Sequence, residues 1–453
     1  MNRTSKLFWP VIVTPKDAVV KSTEITSRSQ KLMLELGLIK SSNNGTFQIL
    51  PLAQKALDKC IALVNKHMTA IDAQKISLPV LTSSGLWKKT GRLDQGVGEF
   101  YLVKDRHGKE HLLSPTHEEA VTSMLASAAP ISYKQLPLRL YQIGPKFRDE
   151  LKTRFGLLRA KEFIMKDLYT FDRNLEEAQK TYEEVSEAYL SFFKKLDVPF
   201  VKVVASTGIM GGSVSHEYHF VSRTGEDRIF QCEACTYSSN EEASGEIRKC
   251  PKCQSSIEET RGIEIGHTFL LQDKYSKPLG ATFLQANGKP QNLSMGCYGI
   301  GISRLLAASL EVKSTENELR WPKLLAPFDV CIISAKEGSK EQNASYSYEE
   351  ELFNKLTKIC DQDDIILDDR RHLTIGKRLM ESKRMGYPVI VVIGSKILQS
   401  PPLVELYIDG QGRDVELNEV LREVNAYVMS KTQLMNEENS GDSNFNRILS
   451  YKQ

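Results

Sequence analysis

Apolar residues recur at helical intervals through residues 21–70, at Ile25, Leu32 and Leu36 and again at Ala56, Ile61, Val64 and Met68. Between the two helical stretches, Phe47-Gln48-Ile49-Leu50-Pro51 reads as a short strand. From residue 76 to 113 the pattern becomes strand-like, with turns at Gly96-Val97-Gly98 and His107-Gly108. Residues 136–171 read as two extended segments around a basic loop that turns at Gly156. An amphipathic helix over 175–196 follows, with Ala178, Tyr182, Val185, Tyr189, Phe192 and Phe193 on its apolar face. Further strands then lead to a glycine turn and a helix over 299–310.

Beyond Pro322 and Pro327, which flank a predicted linker at 323–326, the pattern changes. Short apolar runs at 330–334, 365–367, 389–393 and 404–408 alternate with helical stretches at 348–360, 375–385 and 417–429. This β/α alternation predicts a separate three-layer α/β domain over 327–430. Residues 431–453 are polar and predict a loose tail.

Composition narrows the classes. Of 453 residues, 41% are hydrophobic and 26% charged, as in ordinary globular chains. No apolar run approaches the roughly 18 residues of a membrane span. The balance of 60 Lys+Arg against 57 Asp+Glu is too even to imply nucleic-acid binding by the whole chain, so local patches must carry that argument. Residues 1–20 start without an acidic side chain until Asp17, which suits either a mitochondrial transit segment or an extended N-terminus. Of the eight cysteines, Cys232, Cys235, Cys250 and Cys253 form two CxxC pairs, a spacing that fits a tetrahedral zinc ribbon rather than a disulfide framework.

Two segments carry candidate chemistry. Phe147-Arg148-Asp149-Glu150 ends one predicted strand, and Arg159-Ala160-Lys161-Glu162-Phe163 begins the next. Arg148 and Glu150 are two apart and share a face of an extended segment. A guanidinium and a carboxylate so placed suit ATP: Arg148 for the α-phosphate, Glu150 for the adenine amino group, Phe163 for stacking on the base. Downstream, 295–304 runs strand, glycine turn, helix, and sets Arg304 in a first helical turn, suited to the γ-phosphate. Lys134 to Lys166 holds nine Lys/Arg against three Asp/Glu. Lys152 and Arg154 in its loop are candidates for contacting the acceptor end of a tRNA.

In this ordered pair of segments the chain resembles the class II aminoacyl-tRNA synthetases. Motif 2 of that class matches about 138–171, with Arg159 among its ATP-binding positions, motif 3 about 293–310, and motif 1 about 55–80. The resemblance narrows to prolyl-tRNA synthetase through Leu113-Ser114-Pro115-Thr116-His117-Glu118-Glu119, Lys146-Phe147-Arg148-Asp149-Glu150, Glu162-Phe163-Ile164-Met165-Lys166-Asp167, Gly211-Gly212-Ser213-Val214-Ser215-His216-Glu217, Glu264-Ile265-Gly266-His267-Thr268-Phe269 and Met295-Gly296-Cys297-Tyr298-Gly299-Ile300-Gly301. It implies an α+β catalytic domain over 21–325 with an antiparallel class II sheet, followed by an anticodon-binding domain. It implies ATP and Mg²⁺, an L-proline pocket of Thr116, Glu118, His267, Phe269 and Cys297 with Trp87 near, and tRNA(Pro) as acceptor. Arg148 and Arg304 become the catalytic positions. A homodimer, through motif 1, is also implied.

The chain departs from the bacterial pattern in one region. A large editing insertion is common there between motifs 2 and 3, whereas the cysteine segment at 228–262 leaves room only for a small insert. With the absence of the C-terminal zinc domain of the eukaryote-cytosolic type and the basic start, this favours the mitochondrial type, in the matrix, over a cytoplasmic bacterial enzyme. In the C-terminal domain Asp369 and Arg370 are candidates for reading anticodon bases.

Overall fold

The computed structural model describes residues 2–10, 27–95, 98–128 and 130–436. Gly96-Val97, read in the sequence as a turn, and most of the tail lie outside them. A mainly antiparallel nine-stranded sheet organises the first 320 residues. Its centre is the run Ile257–Gln272, Ser294–Gly301, Glu162–Asp172, Leu138–Phe147. The register puts Tyr169 opposite both Cys297 and Leu140, Phe269 opposite Cys297, and Glu217 opposite His267.

Alternation along these strands separates two cores. Leu168, Tyr298 and Ile300 pack with the helices Pro51–Thr69, Leu175–Lys194 and Ile302–Lys313. Tyr169, Phe171, Phe269, Met295 and Cys297 pack on the opposite side with Val121 of the helix Glu118–Ala126. The helix Leu175–Lys194 starts where the sequence predicts because the Asn174 side chain accepts from the Glu177 amide, and Glu176 and Glu177 occupy its first turn.

The region predicted as strand over 76–113 is mixed. Strands at Leu81–Ser83, Tyr101–Lys104 and Glu110–Leu113 form a small sheet, but Ser84–Lys89 and Arg92–Gln95 are helical. Ser83 caps the first by accepting from the Gly85 amide, a local signal that period-two patterning does not detect.

The C-terminal sheet runs Asn2–Arg3, Ile365–Asp368, Val330–Ile333, Val389–Val392, Val404–Ile408, Gln411–Val415. The first four strands are parallel and the last two antiparallel. Helices Gln342–Leu356 and Leu417–Asn436 cover one face, and Ile375–Met385 packs on the other. Three differences from the sequence expectation stand out. Residues 2–3, read as a leader or loose start, add a strand to this distant sheet, with Asn2 opposite Ile366. The predicted linker is not a tether, since Leu324, Leu325 and Ala326 are buried in the core that joins the two domains. The last helix runs on to Asn436 instead of ending near 429.

Candidate active site

Thr116 sits between a strand and the helix Glu118–Ala126, and its Oγ1 donates to the Glu118 carboxylate at 2.7–2.8 Å. Cys297 Sγ donates to Glu118 Oε1 at 2.9 Å. Across the register from Cys297, Phe269 stacks on His267 with ring centroids 3.9 Å apart. The fold thus brings together the five residues predicted to hold the amino acid. Trp87 lies one layer behind them, beneath the Arg92 guanidinium and edge-on to Phe100.

Beneath this loop is a buried polar network that sequence reasoning missed. Asp167 forms an ion pair with Lys146 Nζ at 2.7 Å and accepts from Tyr169 Oη at 2.8 Å and Gln142 Nε2 at 3.0 Å. The Tyr169 oxygen in turn accepts from the His117 amide at 2.8 Å and lies 3.3 Å from Thr116 Oγ1. The network fixes the Thr116 turn from below. A Lys-x20-Asp-x-Tyr spacing has no local meaning; only antiparallel pairing of 138–147 with 162–172 assembles it. Arg92, which bonds both Glu118 and Glu119, was missed for the same reason.

A second cluster holds the arginines. The Arg148 guanidinium lies 5.3 Å from the centroid of the Phe163 ring. Its charge is disfavoured first by burial and then by Arg304, and among the described residues it forms no ion pair. Arg304, in the first turn of Ile302–Lys313, donates to Glu264 Oε2 at 3.1 Å. Glu264 also faces His267 Nδ1 at 3.3 Å, which joins this cluster to the amino-acid pocket. Burial pushes the Glu264 carboxyl up, but the His267 hydrogen bond and the charges of Arg304 and His219 outweigh it and hold it ionised. Oxygen and nitrogen atoms of Glu217, Glu264 and His267 all lie within 4.8 Å of one another. Two adjacent guanidiniums, one without a direct ion pair among the described residues, beside two carboxylates make a site for a polyanion with a divalent cation.

Glu150 is held by Arg159 Nε at 2.9 Å, and Arg159 also bonds Glu226 at 2.7 Å. Arg154 approaches Glu226 at 3.5 Å, while Lys152 is exposed. In the C-terminal domain, Arg370 is tied to Asp368 and to Glu381 at 2.7 Å and lies over Trp9, and Asp369 accepts from the Ser5 amide and hydroxyl. These partners do not favour the predicted role of Arg370 and Asp369 as base readers, because their polar edges are already taken.

The four predicted metal ligands do converge. Sγ of Cys232 lies 3.4 Å from Cys253, and Cys235 lies 3.6 Å from Cys250. The amides of Ala234 and Cys235 both donate to Cys232 Sγ at 3.4 Å. Four thiolates around a tetrahedral Zn²⁺ at about 2.3 Å stand roughly 3.8 Å apart, so the donor set fits that ion.

Comparison with known proteins agrees with this geometry. Residues 101–313 match the tRNA synthetase class II core domain (G, H, P, S and T), and residues 329–426 match the anticodon binding domain. The fold is therefore that of a class II tRNA synthetase. The chain is 46% identical over 395 residues to a probable mitochondrial proline–tRNA ligase of Homo sapiens, covering 86% of this chain and 83% of that one. It is 38% identical over 405 residues to a probable mitochondrial proline–tRNA ligase of Schizosaccharomyces pombe, covering 88% and 93%. A proline–tRNA ligase of Maridesulfovibrio salexigens is 31% identical over 570 aligned positions, covering 92% of this chain and 96% of its own. The chain belongs to the proline–tRNA ligase family. In fold it is similar to a crystal structure of prolyl-tRNA synthetase from Cryptosporidium parvum complexed with L-proline and AMP, with a TM-score of 0.72 at 16% identity over 90% of this chain and 76% of that one.

Proposed function

We propose that this chain activates L-proline with ATP to prolyl-adenylate and transfers the prolyl group to tRNA(Pro). The observation that carries the reading is the joining of two unlike sites through Glu264 and His267. One is Arg148 beside Arg304, an anion site in which Arg148 forms no ion pair among the described residues. The other is the buried Thr116–Glu118 carboxylate, suited to a secondary ammonium. Thr116 and Glu118 hold the ammonium, and Phe269 and Cys297 wall the ring. The proline carboxylate then attacks the α-phosphorus in line, its new P–O bond forming as the bond to pyrophosphate breaks. Arg148 stabilises charge at the α-phosphate and Arg304 at the γ-phosphate, with Phe163, Glu150 and Arg159 around the adenine. The transferring tRNA hydroxyl then displaces AMP. No side-chain nucleophile is required; positioning and electrostatics carry the step.

Mg²⁺ accompanies the ATP in this reading. Glu217 and Glu264 are the oxygen donors at hand, and the ion would spread the triphosphate charge. Cys232, Cys235, Cys250 and Cys253 would hold a structural Zn²⁺, which leaves no open position for catalysis. The motif 2 loop with Lys152 and Arg154 faces the acceptor end, and the C-terminal domain takes the anticodon. We place the protein in mitochondria, in the matrix, as a homodimer, in line with the names of its relatives and with the resemblance of 55–80 to motif 1. The bacterial relative's alignment runs well beyond the length of this chain, so that relative carries a stretch with no counterpart here. With only a small insert at 228–262, we expect no editing of mischarged alanine within this chain.

The test is ATP–pyrophosphate exchange with each amino acid in turn. Proline should give exchange well above all others. Equal exchange with another amino acid, or none with proline, overturns the reading.

A further inference from the structure

Behind the Thr116 loop lies a charge cluster of which the adenylation chemistry above uses Glu118 alone. Glu118 and Glu119 open the helix Glu118–Ala126, and both side chains are fully buried. Arg92 comes from a different element, Arg92–Gln95, and is 4% exposed. Its Nη1 donates to Glu118 Oε2 at 3.1 Å and to the two Glu119 oxygens at 3.1 and 3.2 Å. The guanidinium carbon lies 4.5 Å from the centroid of the Trp87 ring and 5.7 Å from that of Tyr275. Thr90 donates to Glu119 Oε1 at 2.9 Å from the other side. Arg92 is thus locked by aromatic faces, and through it the orientation of Glu118 is locked.

The charge count matters as much as the geometry. Two buried carboxylates share one guanidinium, so with both ionised the cluster carries one excess negative charge; burial pushes the Glu119 carboxyl up and Arg92 works against that. The next cation, Lys274, directs its ammonium to the Ile209 carbonyl at 2.7 Å. A buried cluster of this kind is a poor means of stabilising a fold, since apolar side chains of the same volume do as well or better. A buried excess charge is, however, the right complement to a single cation from a ligand.

On the proline-activating reading above, we infer that Arg92 is a positioning residue for the amino-acid substrate: it fixes the Glu118 carboxylate and, with Glu119, sets the pocket at one net negative charge, matched to one secondary ammonium. Arg92→Gln releases Glu118 and leaves two carboxylates unbalanced. Glu119→Gln keeps the geometry but lets Arg92 neutralise Glu118 completely. Both changes weaken the hold on the ammonium and leave the ATP site alone.

The test measures proline-dependent pyrophosphate exchange in the full chain, with Arg92→Gln, Arg92→Lys and Glu119→Gln. Tetrahydrofuran-2-carboxylate, which carries a ring oxygen in place of the ammonium, serves as competitor. In Arg92→Gln and Glu119→Gln the KM for proline should rise about tenfold or more, with the KM for ATP within about twofold of wild type. Arg92→Lys should recover part of the loss, because an ammonium keeps the charge without the fork. Wild type should prefer proline strongly to the oxygen analogue, and Glu119→Gln should narrow that preference by about tenfold. A parallel rise in both KM values, or an unchanged preference in a stably folded Glu119→Gln, would overturn the inference and leave Arg92 a packing residue. If Arg92→Gln does not fold, Glu119→Gln decides alone. A wild-type chain that gives no proline-dependent exchange sinks the functional reading itself, before any variant is compared.

Discussion

Arg148 differs from the other arginines of the site because, among the described residues, no carboxylate pairs with it directly; the charges of Glu264, Glu150 and Glu99 reach it only from a distance. Arg304 has Glu264, Arg159 has Glu150 and Glu226, and Arg92 has two carboxylates. Burial and Arg304 both work against its charge, so an incoming phosphate gains from both sides. Arg148→Ala should therefore lower pyrophosphate exchange by about 100- to 1000-fold, with an unchanged far-ultraviolet circular dichroism spectrum. Exchange near the wild-type rate would remove Arg148 from its role. Asp172 gives a second prediction, on stability. Its carboxyl is pushed up to about 6, first by burial and then by Glu177 and Glu184, against a hydrogen bond from Thr181 at 2.7 Å. Because the folded state binds the proton more tightly than the unfolded chain, the stabilisation is complete below about pH 4 and is lost as pH rises through 6. Asp172→Asn should flatten that decline and raise stability at pH 7 by up to about 3 kcal/mol. Urea midpoints at pH 4 and pH 7 measure it; equal slopes in wild type and variant would count against it.

At the scale of elements, the cysteine insert is a hairpin extended from the catalytic sheet. Asp227–Cys232 pairs antiparallel with Ile257–Gln272, and the knuckles sit where this ladder ends. Among the described residues no apolar core lies within the insert comparable to those of the sheet, so on the proposed reading a Zn²⁺ ion would order it. Metal analysis should find about one zinc per chain. Chelation should open residues 233–256 to proteolysis while the sheet stays folded; a protease-resistant insert without metal would mean the thiols hold the turns by themselves. The N-terminal strand is the other element with an outsized role. Beyond its pairing with Ile365–Asp368, Ser5 bonds Asp369, and Trp9 donates to the Leu36 carbonyl at 2.7 Å in the catalytic domain. Pro10 closes on Gly37, where a Cβ would meet the Pro10 carbonyl oxygen at 2.3 Å. Deleting residues 1–9 should lower the thermal midpoint and loosen the C-terminal sheet edge, seen as faster amide exchange over 365–368. Unaltered exchange there would show the strand to be dispensable.

Across the whole molecule, the two domains share a core instead of a tether. The same cluster runs from Leu57 and Leu305 through Leu325 and Phe328 to Cys331, Ile366 and Ile390. Lys59 to Asp364 at 2.6 Å and Arg384 to Glu35 at 2.7 Å close the seam. An anticodon domain held in this way keeps a fixed distance to the Thr116 and Arg148 sites, as a rigid tRNA requires. The proposed homodimer is a prediction at this scale: sedimentation equilibrium should give twice the 51.1 kDa chain mass. A species of single-chain mass at micromolar concentration would sink it.

Much of this was legible in the chain. The strands at 404–408 and the helix at 375–385 fall where periodicity puts them, and both arginine segments occupy strand ends and a first helical turn as their local sequence dictates. Local rules suffice where the signal is local: apolar period, caps, glycine turns and CxxC spacing. They do not suffice for Asp167 with Lys146, for Arg92 with Glu118 and Glu119, or for Asn2 beside Ile366, because each pairing joins segments that no repeat or spacing relates. The sequence by itself determined the two domains, the pairing of the four cysteines and the residues proposed here to meet ATP and proline. Only the tertiary structure decided which carboxylates are buried together, which guanidinium has no direct ion pair among the described residues and which strand closes the far sheet. Charge balance and burial depend on who lies opposite whom across the sheets, and that is set by long-range register.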